Sequence, residues 1–191
     1  DLPGETNLSG RLSHGVRLPL NVRFIGILSR FSDVESLQAE KIIDGIYNTV
    51  ILSGPEPQRS ILRLKLSSAL INKKVPTLIL GGEPGTGAYP EHSGNITFIN
   101  HLHAPAMRDV IEKSNYLISR SGYTTIMELI SLNRSALLIP TPGQTEQEYL
   151  ACWLRGKGWF STVYQKDLKK KLPDTMRQKV PGEEFISGSR L

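Results

Sequence analysis

Tyr116-Leu-Ile-Ser-Arg-Ser-Gly-Tyr-Thr-Thr-Ile-Met-Glu-Leu-Ile-Ser-Leu132, then Ala136-Leu-Leu-Ile-Pro140, then Thr141-Pro-Gly-Gln-Thr-Glu-Gln-Glu-Tyr-Leu-Ala151, reads as strand, turn, helix, strand, turn, helix. Leu117-Ile118 and Ala136 to Ile139 are short apolar runs bounded by turn residues, the pattern of strands buried on both faces of a parallel sheet. Each run meets its helix at a polar turn, and both turns open on the same edge of the sheet. Ligands of open α/β sheets bind there, beyond the carboxyl ends of the strands. The rest of the chain is therefore read for whatever builds a pocket around these two turns.

Upstream, Asp1 to Pro19 carries Gly, Pro, Ser and Asn without periodicity and reads as a lead-in or linker of about the first 20 residues. Asn21 to Leu28 reads as a strand. Phe31 to Gly45 is ambiguous between helix and turn. From Thr49 the pattern is regular: a strand to Leu52, a helix from Pro57 to Asn72 with Ile61, Leu62, Leu64, Leu66 and Leu70 on its buried face, and a strand from Pro76 to Leu80. The Gly81 to Gly87 loop lacks both the P-loop ending and the dinucleotide spacing. A strand over 95–99 and a helix from Ala104 to Lys113 lead into the organising stretch. Thr162 to Tyr164 reads as a last strand, Lys166 to Lys179 as a basic helix, and 181–191 as a frayed tail. Strands alternating with helices of this length predict one α/β domain over 21–180, a Rossmann-like parallel sheet with helices on both faces.

Composition narrows the classes. The chain has 191 residues, enough for one substantial core, and a net charge of +5, which suits an anionic ligand but is too mild to imply nucleic acid. One cysteine, Cys152, excludes an internal disulfide and fits a reducing compartment. No apolar run approaches membrane-spanning length, and no secretory leader is visible. The start at Asp1 rather than Met is expected of a piece of a longer protein. The four histidines (His14, His92, His101 and His103) have no helical metal-ligand spacing and Cys152 has no thiolate partner, so no metal is expected; no nucleophile elbow is present.

Three strand-to-helix corners carry the chemistry. At Arg120-Ser121-Gly122, Gly122 allows close approach to the backbone, and the helix start attracts phosphate. Ser121, Thr124, Thr125 and Glu128 share one helix face. Glu128 lies about 9 Å beyond Gly122 at about 1.5 Å per residue, the depth of a ribose attached to a diphosphate at the turn. Its carboxylate can accept both hydroxyls of a ribose diol. The same pattern describes a solvated helix face with capping residues. At the second corner, Thr145 and Glu148 form a capping box, which leaves Gln144, Glu146 and Gln147 to meet sugar hydroxyls, or simply to begin a polar helix. At the third corner, Ser53-Gly54-Pro55-Glu56-Pro57-Gln58-Arg59, Arg59 opposes the helix dipole, a conflict that a bound anion or plain solvent exposure would relieve. Lys166, Lys169, Lys170 and Lys171 read as a solvated face.

Taken as a set, Ser53-Gly54-Pro55, Asn100-His101-Leu102, Arg120-Ser121-Gly122 with Glu128, and Gln144-Thr145-Glu146-Gln147 resemble the C-terminal, donor-binding domain of glycosyltransferase family 28. These are enzymes of the GT-B architecture, with two facing Rossmann-like domains. The resemblance runs from about Val22 to Tyr164. It implies a UDP-sugar donor and the transfer of a hexosyl group, N-acetylglucosaminyl being one candidate, with no cofactor and no metal. It implies diphosphate contacts at Ser53, Gly54, Arg59, Arg120, Ser121 and Gly122. Ribose and base contacts would fall at Ile99, Asn100, His101, Leu102, Thr125 and Glu128, and donor-sugar contacts at Gln144, Thr145, Glu146 and Gln147. The acceptor site and catalytic base would lie in an N-terminal domain, so this chain alone would bind donor without transferring it. The expected place is the cytoplasm, with attachment of the full protein to the inner face of a membrane left open. The chain departs from the family's Gly-Gly-Ser-Gln-Gly type first loop and reads Gln147-Glu148 where the family has Gln-Gln. Two other readings stay open: half of a nucleotide-sugar epimerase, and a non-catalytic nucleotide-binding or interaction module on the same fold.

Overall fold

The computed structural model of the chain describes residues 1–15, 17–32, 44–83 and 90–172. Within them, β1 (Asn48–Ile51), α1 (Gln58–Leu70), β2 (Thr77–Leu80), β3 (Glu91–Ser93), β4 (Ile96–Ile99) and α2 (Ala104–Lys113) precede the organising stretch. That stretch forms β5 (Tyr116–Ser119), α3 (Tyr123–Ser131), β6 (Leu137–Leu138) and α4 (Thr145–Gly156), and is followed by β7 (Ser161–Thr162) and a short α5 (Leu168–Lys171). The seven strands lie in the order β3-β4-β2-β1-β5-β6-β7. All pairings are parallel except β3 with β4.

This order explains where a site can lie. The chain steps outward from β1 to β2 and β4, then returns to add β5 on the other side of β1. The connections on the two sides leave opposite faces, and a crevice opens between β1 and β5 at the strands' carboxyl ends, the switch point of an open α/β sheet. Alternation along each strand sends neighbouring residues to opposite faces. Leu78, Leu80 and Leu117 pack with α2, α3 and α4, whereas Ile79 and Ile118 pack with α1 and α5.

The buried stripe of α1 is Leu62, Leu66 and Leu70, one turn apart, each contributing roughly 1.5–3 kcal/mol. Leu64, assigned to that face from the sequence, points outward and is 71% exposed, and Ile61 is only half-buried. A spacing of four holds one face of a helix, and Leu64 lies two residues out of phase.

Other boundaries also differ from the sequence reading. Residues 21–28 run without a sheet partner, broken by Gly26 at φ 81°, so apolar and β-branched residues there did not make a strand. β3 went unread because Glu91, His92 and Ser93 form an exposed polar edge with no apolar signal. The segment before Pro19 is packed, not free. Leu2 and Leu8 are buried in the core, and Arg11 N–H donates to the Tyr149 hydroxyl at 2.7 Å. Gly10, at φ 52°, lies where any Cβ would collide with that hydroxyl and with the Trp153 ring. The ambiguous 33–43, most of the Gly81–Gly87 loop, the basic helix beyond Leu172 and the tail lie outside the described residues.

Candidate functional site

A cavity of about 350 Å³ occupies the switch point. It is walled by Leu52, Ser53 and Gly54 after β1, Gly82 after β2, Asn100, His101 and Leu102 after β4, and Thr125 and Glu128 on α3. Arg59 and Arg30 close its sides. Eight residues marked from the sequence thus meet in one place: Ser53, Gly54, Arg59, Asn100, His101, Leu102, Thr125 and Glu128. Ile99 ends β4 behind them, buried in the core.

Glu128 is the acid of this cavity. It lies in the middle of α3, 8% exposed, among the core residues Ile126, Leu129 and Ile130. Burial raises its pKa above the ordinary carboxylate range, and the neighbouring Arg30 guanidinium pulls it part of the way back. Oε1 is 2.9 Å from Arg30 Nε.

Arg30 was missed from the sequence. It sits far upstream, on a loop that the structure pins to this spot. Phe31 is buried, its carbonyl accepts from Arg108 at 3.3 Å, and Ser131 Oγ donates to Ser29 Oγ at 2.7 Å. No local pattern could have paired this loop with α3.

The β5–α3 corner supplies an open helix start. Gly122 is the N-cap of α3 and provides no side-chain acceptor, so the first N–H groups of the helix have no cap. Its φ of −70° is available to any residue, and a Cβ there would meet nothing within 4 Å. The chain itself therefore does not demand glycine at 122. A ligand approaching the backbone would. The start of α1 is different, because Glu56 Oε2 already accepts from Ser60 N–H at 3.2 Å.

Several marked side chains are engaged within the protein. Arg120 is 1% exposed and donates to the carbonyls of Ile139 (3.3 Å), Pro140 (3.2 Å) and Gln58 (2.9 Å). Burial lowers its pKa to about 10, so it stays charged at neutral pH. Ser121 Oγ donates to Gln147 O at 2.8 Å. These bonds weld the β5, β6 and α1 corners into one rim, with Arg120 and Ser121 facing protein rather than the cavity.

Gln144, Thr145 and Glu146 are exposed and do not line the cavity. Gln147 is half-buried, accepting from Thr141 N–H at 3.0 Å and donating to Gln144 Oε1 at 2.6 Å. The expected capping box is absent. Gln144, not Thr145, is the N-cap, and Glu148 reaches back to Gly143 N–H at 3.2 Å. Arg59 resolves its conflict with the helix dipole through Glu56 and Glu83, at 3.0 and 2.9 Å. Among the described residues no three His, Cys, Asp or Glu side chains are grouped to hold a metal ion, and no helix is long and apolar enough to cross a membrane.

A mostly parallel sheet with a strand-end cavity at its switch point is the architecture of one half of a GT-B glycosyltransferase. Solved structures share it. The chain superposes on MurG of Acinetobacter baumannii with a TM-score of 0.53 at 20% identity, covering 78% of this chain and 46% of that one. It superposes on the kitacinnamycin glycosyltransferase with a TM-score of 0.53 at 15% identity, covering 87% and 43%.

Residues 87–185 match the family model of the glycosyltransferase family 28 C-terminal domain, and the chain belongs to that family. A curated relative from Oenococcus oeni, UDP-N-acetylglucosamine--N-acetylmuramyl-(pentapeptide) pyrophosphoryl-undecaprenol N-acetylglucosamine transferase, is 30% identical over 126 residues, 57% of this chain and 33% of the relative. A protein of the same name from Sulfurihydrogenibium is 29% identical over 68 residues, 35% of this chain and 20% of the relative. The chain thus spans a third or less of the length of these relatives.

Proposed function

We propose that this chain is the donor-binding domain of a UDP-sugar-dependent glycosyltransferase and that an N-terminal domain of the same protein supplies the acceptor site. The observation that carries the reading is Glu128, a buried carboxylate held by Arg30 at Oε1 and lining a strand-end cavity at the switch point. The ribose diol meets that carboxylate. The base lies along Asn100 to Leu102, and the diphosphate runs toward Gly54 and the uncapped start of α3. The sugar then projects toward Gln144, Thr145, Glu146 and Gln147. The relatives' names favour N-acetylglucosamine as the sugar. They also name a pyrophosphoryl-undecaprenol acceptor, which favours a cytoplasmic protein working at the inner face of a membrane.

The domain's contribution to catalysis is electrostatic. As the bond to the sugar breaks, negative charge grows on the departing diphosphate. Fixed N–H dipoles at α3, backed by the buried Arg120 charge, stabilise it without reorganisation. Arg120 acts here through the rim it braces, not by touching phosphate.

The test is titration of the chain with uridine and UDP as a function of pH. The ionised form of Glu128 accepts the ribose hydroxyls, and burial raises its pKa. Uridine affinity is therefore expected to rise as pH climbs from the ordinary carboxylate range through the raised value, and then to level off. Stability has the opposite sign over the same window, because the unfolded carboxyl loses its proton first. An affinity that stays flat across that window contradicts the ribose assignment. Transfer to any acceptor is expected to be absent from this chain alone.

A further inference from the structure

The outer face of α1 has no part in donor binding. Leu62, Leu66 and Leu70 turn toward the sheet, so Ser60, Leu64, Ser68 and Ile71, spaced by four, four and three, form the strip opposite them. All four are exposed, Leu64 at 71% and Ile71 at 38%. The strip itself carries no charge, and cations flank it. Arg63 stands on one side, its guanidinium over the Phe98 ring at 3.5 Å, and Lys65 stands on the other. Lys74 is exposed just beyond the helix end. α5 lies in the same layer. Gln165, in the turn before it, donates to Gln58 Oε1 at 3.3 Å, and Leu168 shares a core cluster with Leu62 and Leu66. That segment adds the exposed Lys166 and Lys169.

We infer that the outer face of α1, with the lysines of α5, is a docking surface for an anionic lipid bilayer. The charge of this layer is one-sided. From Pro57 to Gly82 the chain carries Arg59, Arg63, Lys65, Lys73 and Lys74 and no Asp or Glu, and Lys166, Lys169, Lys170 and Lys171 follow in the α5 segment. Setting every acid of the flanking segments against them (Asp44, Glu56, Glu83, Glu91 and Asp167) leaves nine cations to five acids. A cationic surface complements anionic headgroups. The uncharged strip in its middle is what a bilayer uses and a hydrophilic polyanion does not, because interfacial binding grows with buried apolar area as well as with charge. Cations on both flanks let long stems lie against the apolar region while their heads meet phosphate. Position also fits. α1 starts at the cavity rim with Arg59 and runs back along the sheet, so its outer face is lateral to the cavity mouth. A bilayer seated there leaves the mouth open.

The experiment is co-sedimentation of the 191-residue chain with vesicles of phosphatidylcholine alone, and of phosphatidylcholine with about one third phosphatidylglycerol, at low salt and at about 0.5 M salt. Binding is expected to the anionic vesicles alone and is expected to fall steeply at high salt. Lys65→Glu combined with Lys74→Glu is expected to weaken it about tenfold or more, since one cation at an anionic surface is worth roughly fivefold. Leu64→Gln is expected to weaken it about threefold or more. The same double reversal at Arg155 and Lys157, exposed on α4 across the sheet, is expected to weaken it far less. An unchanged urea midpoint reports an intact fold in each variant. A parent chain that does not bind anionic vesicles at low salt overturns the proposal, and so does an equal loss in the two double variants. Binding that follows charge alone, retained in full by Leu64→Gln, marks a surface for some other polyanion and overturns it too. Uridine affinity, measured alongside, is expected to be the same in all variants, so the donor reading stands or falls separately.

Discussion

Replacing Arg120 with alanine is expected to destabilise the chain by about 3 kcal/mol or more, the largest effect of any single change near the site. The guanidinium is 1% exposed and satisfies carbonyls on two elements, Ile139 and Pro140 after β6 and Gln58 at the start of α1. Alanine leaves these buried acceptors without donors and opens a void the size of the lost side chain. Lysine does not repair this, because a single ammonium cannot present the planar fork that reaches both elements. Urea denaturation measures it, read as a lower midpoint at constant slope. A midpoint within error of the parent would mean that Arg120 is not the brace described here.

The second large effect is on binding. Glu128→Gln is expected to weaken UDP about tenfold or more, the worth of a charge-assisted hydrogen bond of roughly 1.5–3 kcal/mol. A matched ligand separates this from general damage. The 2′-deoxy form of UDP lacks one of the two hydroxyls, so the parent should discriminate against it and the variant should discriminate much less. Calorimetric titration of the four combinations gives the coupling directly. Equal losses for both ligands would place Glu128 outside the ribose contact and leave it as the partner of Arg30 alone.

Much of this architecture could be read in the sequence because short apolar runs alternate with amphipathic helices. The α2 boundaries, Ala104–Lys113, and the buried Ile126, Leu129 and Ile130 of α3 follow from that periodicity. Where pairing decides, local pattern was silent. The polar edge strand β3 has no apolar signal, and 21–28 has the composition of a strand but no neighbour. The order that places β1 beside β5 cannot be deduced from either strand.

The site divides in the same way. Gly122 and Glu128 stand at a strand end and on one helix face, so spacing locates them. Arg120, two residues before Gly122, reads as a phosphate contact. Its side chain turns inward because the β6 and α1 corners offer it carbonyls that no linear reading reveals. Arg30 reaches Glu128 only through tertiary packing of a distant loop.

The most direct measurement is an amide NMR titration of the chain with UDP. Shifts are expected at Gly54, His101, Gly122, Thr125 and Glu128, from three strand-to-helix corners on one rim, with none at Cys152 or Gly156 on the far side of α4. Shifts confined to α4, or scattered with no response at Gly122 and Glu128, would contradict a shared uridine diphosphate cradle.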